Sequence, residues 1–441
     1  MRAMSRLSSK ENVLRRLRPK RRKLLRELGA LADGRGMPIY LVGGVVRDLF
    51  LRRENWDLDI AVEGDGIAFA RLVADRYRAG LAVFERFATA RLVLPDGLKL
   101  DIASTRRESY AEPAALPAVA PASLKEDLHR RDFTINAMAV QLNAAQFGRL
   151  HDPFGGRRDL AAGSIRVLHE DSFLDDPTRI FRAIRFAQRF GFVLERKTQT
   201  LLRRAAATNQ IERLSGPRLC NEVLSLLAER EPAGSIASLV RLKLLRFLHP
   251  RLRYGGRARR LLAALPQALA WWRRQCPDRP VDRPLLYLMA LLSTGSPAVV
   301  RAVERRLQLS SVQAEAVACA GDRTGRPARV LCRPGDLRPS RVYRLLIGLP
   351  DEALVLMLAK VQAAQQGAAG RRVRRRLGRF VKRDRHVAIS VNGDDLKQIG
   401  LAPGPRFKEI LDRLVDARLD GAVKTEAQER DLAREMAASR P

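Results

Sequence analysis

An α+β fold is what the sequence predicts, with strands confined to the N-terminal part and helices filling the remainder. Two observations carry this. Short β-branched, aromatic or alternating runs, closed by glycine and turn residues, crowd between Ile39 and Ser104. From about residue 194 to 370, leucine-rich amphipathic segments follow one another, separated by Pro/Gly breaks near 216, 232, 255, 277, 296, 325, 334 and 350. Strands gathered first and helices after them favour α+β over an alternating α/β plan. At 441 residues and 46% hydrophobic content, the chain is long enough for several domains with ample cores.

The elements follow in order. Residues 1–36 form a basic helical leader whose densest run is Pro19-Lys20-Arg21-Arg22-Lys23, and it ends at Asp33-Gly34-Arg35-Gly36. A solvated helix face and an RNA contact explain that run equally well. Ile39-Tyr40-Leu41-Val42 reads as a buried strand, and Gly43-Gly44 closes it where backbone must approach something closely. Val45 to Leu51 reads as a short helix with Arg47 in its first turn, an arrangement suited to a triphosphate. Trp56 to Val62 alternates as a strand, so Asp57 and Asp59 share one face. Two adjacent carboxylates repel, and a divalent cation with oxygen ligands is the usual reason to keep them together. A lone DxD is weak; strand, glycine turn, helix and carboxylate strand in this order raise its meaning.

A helix is expected over Gly66–Tyr77, then strands near Ala82–Phe87, Ala90–Leu94 and Leu98–Ser104, the last two joined by the hairpin signal Pro95-Asp96-Gly97. Asp101 becomes a third carboxylate that a neighbouring strand brings toward Asp57 and Asp59, although a strand-end Asp is often only a cap. Glu112 to Pro121, rich in Pro and Ala, reads as a loop beside that site. Leu124 to Ala139 reads as two helical pieces meeting at a polar corner that holds Arg131 and Asp132. His151 to Leu160 has the turn chemistry of a hinge. A helix opening at Asp175-Asp176-Pro177 and stopped by Gly191 places Asp176, Arg179, Arg182 and Arg185 three apart, in one slanted row. A carboxylate accepts from an exocyclic amine while a guanidinium donates to the ring nitrogen beside it, so an Asp–Arg pair suits cytosine and adenine and leaves uracil and guanine unpaired. The other arginines of the row suit a triphosphate. Trp271-Trp272 suits a core or a base stack, and Arg371 to Arg385 suits RNA backbone or a solvated face.

A net charge of +34 exceeds what solubility needs and points to a polyanion, with nucleic acid favoured over a membrane surface because no apolar run spans one. No GxxxxGK[ST] loop is present, which argues against P-loop phosphate chemistry. Cys220, Cys276, Cys319 and Cys332 are scattered, without CxxC or Cys/His spacing, so neither zinc nor a disulfide framework is expected. The absence of an apolar signal segment leads to a cytoplasmic expectation, and Glu11 and Glu27 in a helical pattern argue against an organelle transit peptide.

The motifs GGVVRD and DLD at 43–59, RRDFTINAMA at 130–139, DPFGG with DL at 152–160, DDPTRIFRAIRFAQRFGF at 175–192, ERLSGPR at 212–218 and NGDDLKQIGLAPGP at 392–405 resemble the class II tRNA nucleotidyltransferases and bacterial poly(A) polymerases. These belong to the polymerase-β-like nucleotidyltransferase superfamily. The resemblance implies a head with a small mixed sheet at 37–165, followed by helical regions: a neck with a base-reading helix at 166–225, a body at 226–370 and a basic tail at 371–441. It implies transfer of A, or of C and A, from ATP and CTP to a tRNA 3′ end with pyrophosphate release, through a two-metal Mg2+ mechanism. Carried over by motif, Asp57 and Asp59 bind the metals and catalyse; Asp101, placed by the strand pattern and not by a motif, is the third catalytic candidate and assists if it reaches the metals. Gly43, Gly44, Arg47, Arg182 and Arg185 serve the triphosphate, Arg131 and Asp132 the nucleotide, and Asp176 and Arg179 the base. The implied partner is RNA, in the form of the tRNA acceptor end and elbow. Asp175 departs from the Glu that usually opens the base-reading motif, and DDPTR resembles the A-adding and poly(A)-forming subgroup. Poly(A) addition to other RNAs, a non-catalytic RNA-binding or chaperone protein, and a small-molecule nucleotidyltransferase are the rival readings; the last leaves the basic helical remainder without a purpose. Oligomeric state is open at this level.

Overall fold

The computed structural model describes residues 12–438 except 55, 56, 113, 116, 365 and 366, together with their side chains apart from that at 322. The first part of the basic leader and the expected strand start at Trp56 lie outside the described residues. The chain divides into two compact units, which meet in sequence at Glu222 and Val223.

In the first unit a helix α1 (Pro19–Asp33) precedes β1 (Ile39–Val42), α2 (Gly44–Phe50), β2 (Leu58–Val62), α3 (Gly66–Tyr77), β3 (Gly80–Phe84), β4 (Thr89–Val93) and β5 (Lys99–Ser104). The hairpin β6 (Arg106–Ser109) and β7 (Ala118–Pro121) follows, then α4 (Leu124–His129), β8 (Ala139–Gln141), β9 (Leu150–His151) and α5 (Gly156–Ala162). The seven-stranded sheet has the order β3-β4-β5-β2-β1-β8-β9. It is mixed: β2 runs parallel to β5 with Asp59 opposite Asp101, and the other pairings are antiparallel. Tyr40, Val42, Ala61, Leu124, Leu128, Ala137 and Ala139 form a core that seats α4 against the centre of the sheet. The expected seven-residue strand from Trp56 is shorter, starting at Leu58, and Asp57 immediately precedes it.

Three local readings change. The Pro/Ala-rich stretch is not loop throughout, since Ala118–Pro121 pairs with Arg106–Ser109, and Pro121 is tolerated at the end of a two-stranded edge. The second helical piece of the polar corner is only the single 3-10 turn Thr134–Asn136, because the buried run that follows joins the sheet as β8; a short apolar run cannot be assigned by periodicity alone. The hinge-like 151–160 is pinned: Asp152 accepts from the backbone N–H of Gly156 and Arg157 at 2.6 and 2.9 Å, and Asp159 accepts from Thr134 at 2.5 Å and Arg166 at 2.8 Å. Gly156 is required there, as a Cβ would stand 2.2 Å from the Thr134 carbonyl oxygen.

Beyond the sheet, β10 (Ser164–Ile165) pairs in parallel with β11 (Val193–Leu194), a small departure from an all-helical neck. Between them lie α6 (Ser172–Asp175) and α7 (Thr178–Phe190), and α8 (Arg196–Ala207) and α9 (Gly216–Leu227) follow. Gly191 ends α7 in the left-handed conformation, φ 68°, as expected.

The second unit is helical from α10 (Pro232–Arg241) to α21 (Glu426–Ala438). Its centre is a helix, Asp351–Ala363, buried from Ala353 through Ala359. Trp272 is fully buried and donates Nε1–H to the Arg279 carbonyl at 2.9 Å, so this tryptophan is core. In the basic helix Gly367–Lys382, Val373, Leu377, Phe380 and Val381 form the buried face. Arg372 and Arg376 donate to the Cys332 and Leu331 carbonyls at the end of helix Asp322–Cys332, where cationic donors satisfy open carbonyls. Part of the basic run is therefore structural. Among the described residues no helix is long and apolar enough to cross a membrane, and the four cysteines are unbridged.

Candidate active site

The chemistry gathers where β1, β2 and β5 lie side by side. Gly43 closes β1 at φ 75°, a conformation that favours glycine, and a Cβ there would stand 2.8 Å from Arg131 Nη1 and 3.9 Å from Asp59 Oδ2. The glycine thus lets backbone, guanidinium and carboxylate share one corner. Burial pushes the Asp59 carboxyl up to about 6; Arg131 opposes this, and the neighbouring Asp101 and Asp57 reinforce it. Asp59 thus senses both neighbouring carboxylates, although among the described residues no three acidic, histidine or cysteine side chains gather closely enough to hold a metal by themselves. Asp59, Asp101 and Arg131 line a cavity of about 270 Å3.

Asp101 is not idle in this state. Across the β4–β5 ladder Arg91 holds both its oxygens, at 2.7 and 2.9 Å. Asp57 is exposed and lines a separate cleft with α1.

The other residues singled out in the sequence fall into two groups. Arg47 is 5% exposed, and all three of its guanidinium nitrogens are engaged: Nε and Nη2 with Asp48 at 2.9 Å, Nη1 with Asn136 at 2.6 Å. The Phe186 and Phe190 rings lie 5.3 and 4.8 Å from it. It clamps α2 to the Thr134–Asn136 turn. Gly44 begins α2 directly behind Gly43.

Asp132 and Arg182, assigned separate tasks in the sequence, are partners. Arg182 donates Nε–H to Asp132 at 2.8 Å and Nη2 lies 2.7 Å away, while Phe133 N–H and Asn136 occupy the other oxygen. Burial would raise the Asp132 carboxyl, but Arg182 and Asn136 prevail and hold it below the usual carboxylate range. Arg131 donates to the buried Asp127 at 2.9 Å, and its Nε is buried with no hydrogen-bond partner.

The slanted row is incomplete. Asp176 has extended backbone, φ −134° and ψ 95°, and stands off the helix, because Pro177 starts a new one. Its Oδ1 accepts from the Thr178 N–H at 3.0 Å, from the Thr178 hydroxyl at 2.6 Å and from Arg218 Nη2 at 2.9 Å. Arg179 is buried; it donates to Ser172 Oγ and to the Arg130 carbonyl, each at 2.7 Å. Arg185 stacks near the Phe186 ring, and its charge, with that of Arg182, opposes the rise that burial imposes on Glu222.

Sequence reasoning missed Arg218 as an individual partner, although it ends the ERLSGPR motif. It also missed Arg91, Asn136 and Asp127. Only Asp127 had a local signal, since Arg130 and Arg131 stand three and four residues on along the same helical turn.

A mixed sheet that aligns carboxylates on adjacent strands, beside a glycine turn faced by an arginine, defines a polymerase-β-like nucleotidyltransferase head. Comparison with known proteins agrees. Residues 39–166 match the Poly A polymerase head domain, and 191–254 match the family described as a probable RNA and SrmB-binding site of polymerase A. The A-adding tRNA nucleotidyltransferase of Geobacter sulfurreducens is 41% identical over 94% of the chain, which spans 47% of that protein's length. The A-adding tRNA nucleotidyltransferase of Halalkalibacterium halodurans is 32% identical, over 94% of this chain and 92% of its own. The Thermotoga maritima CCA-adding enzyme complexed with tRNA superposes with a TM-score of 0.73 at 33% identity, covering 97% of each chain. The chain belongs to the tRNA nucleotidyltransferase and poly(A) polymerase family.

Proposed function

We propose that this protein adds AMP from ATP to the 3′ end of tRNA ending in CC, without a template, releasing pyrophosphate. The observation that carries the reaction type is the alignment of Asp59 with Asp101 beside Asp57, Gly43 and Arg131. The likeness to two A-adding relatives along 94% of the chain supports A over C, and DDPTR supports it too. The reading carries a cytoplasmic location with it.

Mg2+ fits this donor set: carboxylate oxygens are hard ligands, and the Asp59 carboxyl, raised first by burial and then by Asp101 and Asp57, is one whose charged form a cation would favour. Asp57 and Asp59 would hold it. When bound, it neutralises developing negative charge on the phosphate oxygens and favours ionisation of the attacking hydroxyl. The chain's own residues do the rest. Gly43 leaves room for phosphate oxygens against backbone, and Arg131 donates to them from a guanidinium already oriented by Asp127. The 3′ oxygen forms its bond to the α-phosphorus opposite the bond to pyrophosphate, which breaks. Asp176 presents Oδ2 to the exocyclic amine while Oδ1 is held by Thr178 and Arg218. Arg179, whose terminal nitrogens are held by Ser172 and the Arg130 carbonyl, would turn a remaining N–H to the adjacent ring nitrogen when the base binds.

Labelled ATP and CTP offered with tRNAs ending before CCA, after C and after CC test this reading. A-addition to the CC end alone is expected; C incorporation makes the protein a complete CCA-adding enzyme, and A-addition to unrelated RNAs makes it a poly(A) polymerase.

Two further outcomes follow from the geometry. Because Asp59 titrates near 6, the cation competes with a proton below about that pH, so Mg2+ affinity should fall up to about tenfold per unit of acidification there, as calorimetry would read. Equal affinity at pH 5 and 7 would contradict the assignment. Arg179→Ala should lower discrimination of ATP against UTP and GTP by about tenfold or more, and Arg218→Ala should weaken it by freeing Asp176 to rotate. Unchanged selectivity in competition assays removes the altered residue as a reader or as its support.

A further inference from the structure

We propose that the cleft between α1 and the β4–β5 turn carries the sugar-phosphate backbone of the acceptor RNA as its 3′ end approaches Asp57. This rests on the nucleotidyltransferase reading above and assigns it an acceptor path. The cleft encloses about 840 Å3 and is walled by Arg18, Lys20, Arg21 and Lys23 on one side and by Leu94–Lys99 on the other, with Asp57 in the same lining. A cavity that joins a row of cations to a catalytic carboxylate is a path for a polyanion whose end must react there.

The direction of approach follows from two separate cavities that meet at the Asp57–Asp59 segment. An in-line displacement needs the attacking oxygen and the leaving pyrophosphate on opposite sides of the α-phosphorus. Arg131, which receives the triphosphate in this reading, lines the cavity that holds Asp59 and Asp101, whereas Asp57 lines the separate α1 cleft. An acceptor in the α1 cleft therefore reaches the Asp57–Asp59 segment from outside the cavity that receives the triphosphate. Lys99 stands at the start of β5, one residue before Leu100, the register partner of Leu58, so it is close to Asp57 at the start of β2.

Its charges suit exchange with phosphate. Five cations (Arg18, Lys20, Arg21, Lys23, Lys99) line the cleft with three carboxylates (Glu27, Asp57, Asp96), and Glu54 beside it pairs with Arg18, an excess of one. Lys20 pairs with Asp96 at 2.8 Å and Lys23 with Glu27 at 3.9 Å, but their side chains are 83% and 80% exposed. Such surface pairs contribute little to stability and yield readily to a stronger anion. Burial, and after it the neighbouring Arg18, lower the Arg21 guanidinium from its ordinary value, while Glu54 and Asp96 oppose this. Lys99 has no ion pair among the described residues. The basic leader, ambiguous in sequence between solvated face and RNA contact, thereby acquires a task.

The test is the triple variant Lys20→Ala, Lys23→Ala, Lys99→Ala in the full chain, with tRNA ending in CC and ATP as substrates. KM for the RNA should rise about tenfold, and the slope of log affinity against log salt should shrink by about 2, roughly 0.7 for each lost phosphate contact on a single strand. KM for ATP should hold its wild-type value. An unchanged RNA KM and salt slope overturn the proposal, and a rise confined to the ATP KM assigns the cleft to the triphosphate instead. Should the wild-type protein incorporate nothing, the nucleotidyltransferase reading fails. RNA binding by wild type and variant, measured by fluorescence anisotropy, then still decides whether the cleft holds RNA.

Discussion

Replacing Asp59 with alanine should abolish nucleotide incorporation, by about a thousandfold or more, while tRNA binding persists. The carboxylate stands in the corner where Gly43 and Arg131 meet, and burial raises it to about 6. No neighbouring acid can replace it. Asp101, its register partner, is committed to Arg91, and Asp57 stands at the open end of the strand. Asp57→Ala should have a similar effect, and Asp101→Ala a smaller one. Steady-state incorporation beside a binding isotherm separates chemistry from affinity. Normal turnover in the Asp59 variant would sink the assignment.

Arg47→Ala should lower stability by about 3–5 kcal/mol, the cost of leaving a buried charge without its partner. Arg47 and Asp48 are 5% and 8% exposed, and the substitution removes the two-pronged bond to the Asp48 carboxylate together with the bond to the Asn136 side-chain oxygen. It also removes the cation beside the Phe186 and Phe190 rings, which couple α7 to the head. Arg47→Lys should restore little, since one ammonium cannot reproduce the two-pronged bond to Asp48 along with the bond to Asn136. Urea unfolding reads the difference. Wild-type stability together with a raised KM for ATP would return Arg47 to the triphosphate role that its position in GGVVRD suggests.

That residue shows where sequence reading succeeds and where it stops. The strand Ile39–Val42, the helix Gly66–Tyr77 and the stop at Gly191 were legible because periodicity and turn chemistry are local signals. The Asp59–Asp101 alignment was legible in outline, since period-two alternation and a hairpin signal bring neighbouring strands together. The arginines were not. Whether a guanidinium faces a ligand or a carboxylate depends on contacts between distant segments: Arg47 with Asn136, Arg182 with Asp132, Arg218 with Asp176. Equal spacing along 176–185 suggested one helical row, but Pro177 marks a helix start and leaves Asp176 extended before it, where its side chain bonds to Thr178 at the first turn of α7. Asp176, the base reader of the proposed function, is therefore held in place by Arg218 of α9 together with Thr178 at the start of α7.

The central claim is that the aspartate corner transfers one nucleotide to an RNA end without a template. Counting pyrophosphate released against AMP incorporated, with ATP, Mg2+ and tRNA ending in CC, tests it most directly. One pyrophosphate and one AMP per acceptor end are expected, with neither formed when RNA is omitted or Asp59 is replaced by alanine. Pyrophosphate or phosphate release independent of RNA, or no incorporation in the presence of RNA, would contradict the account.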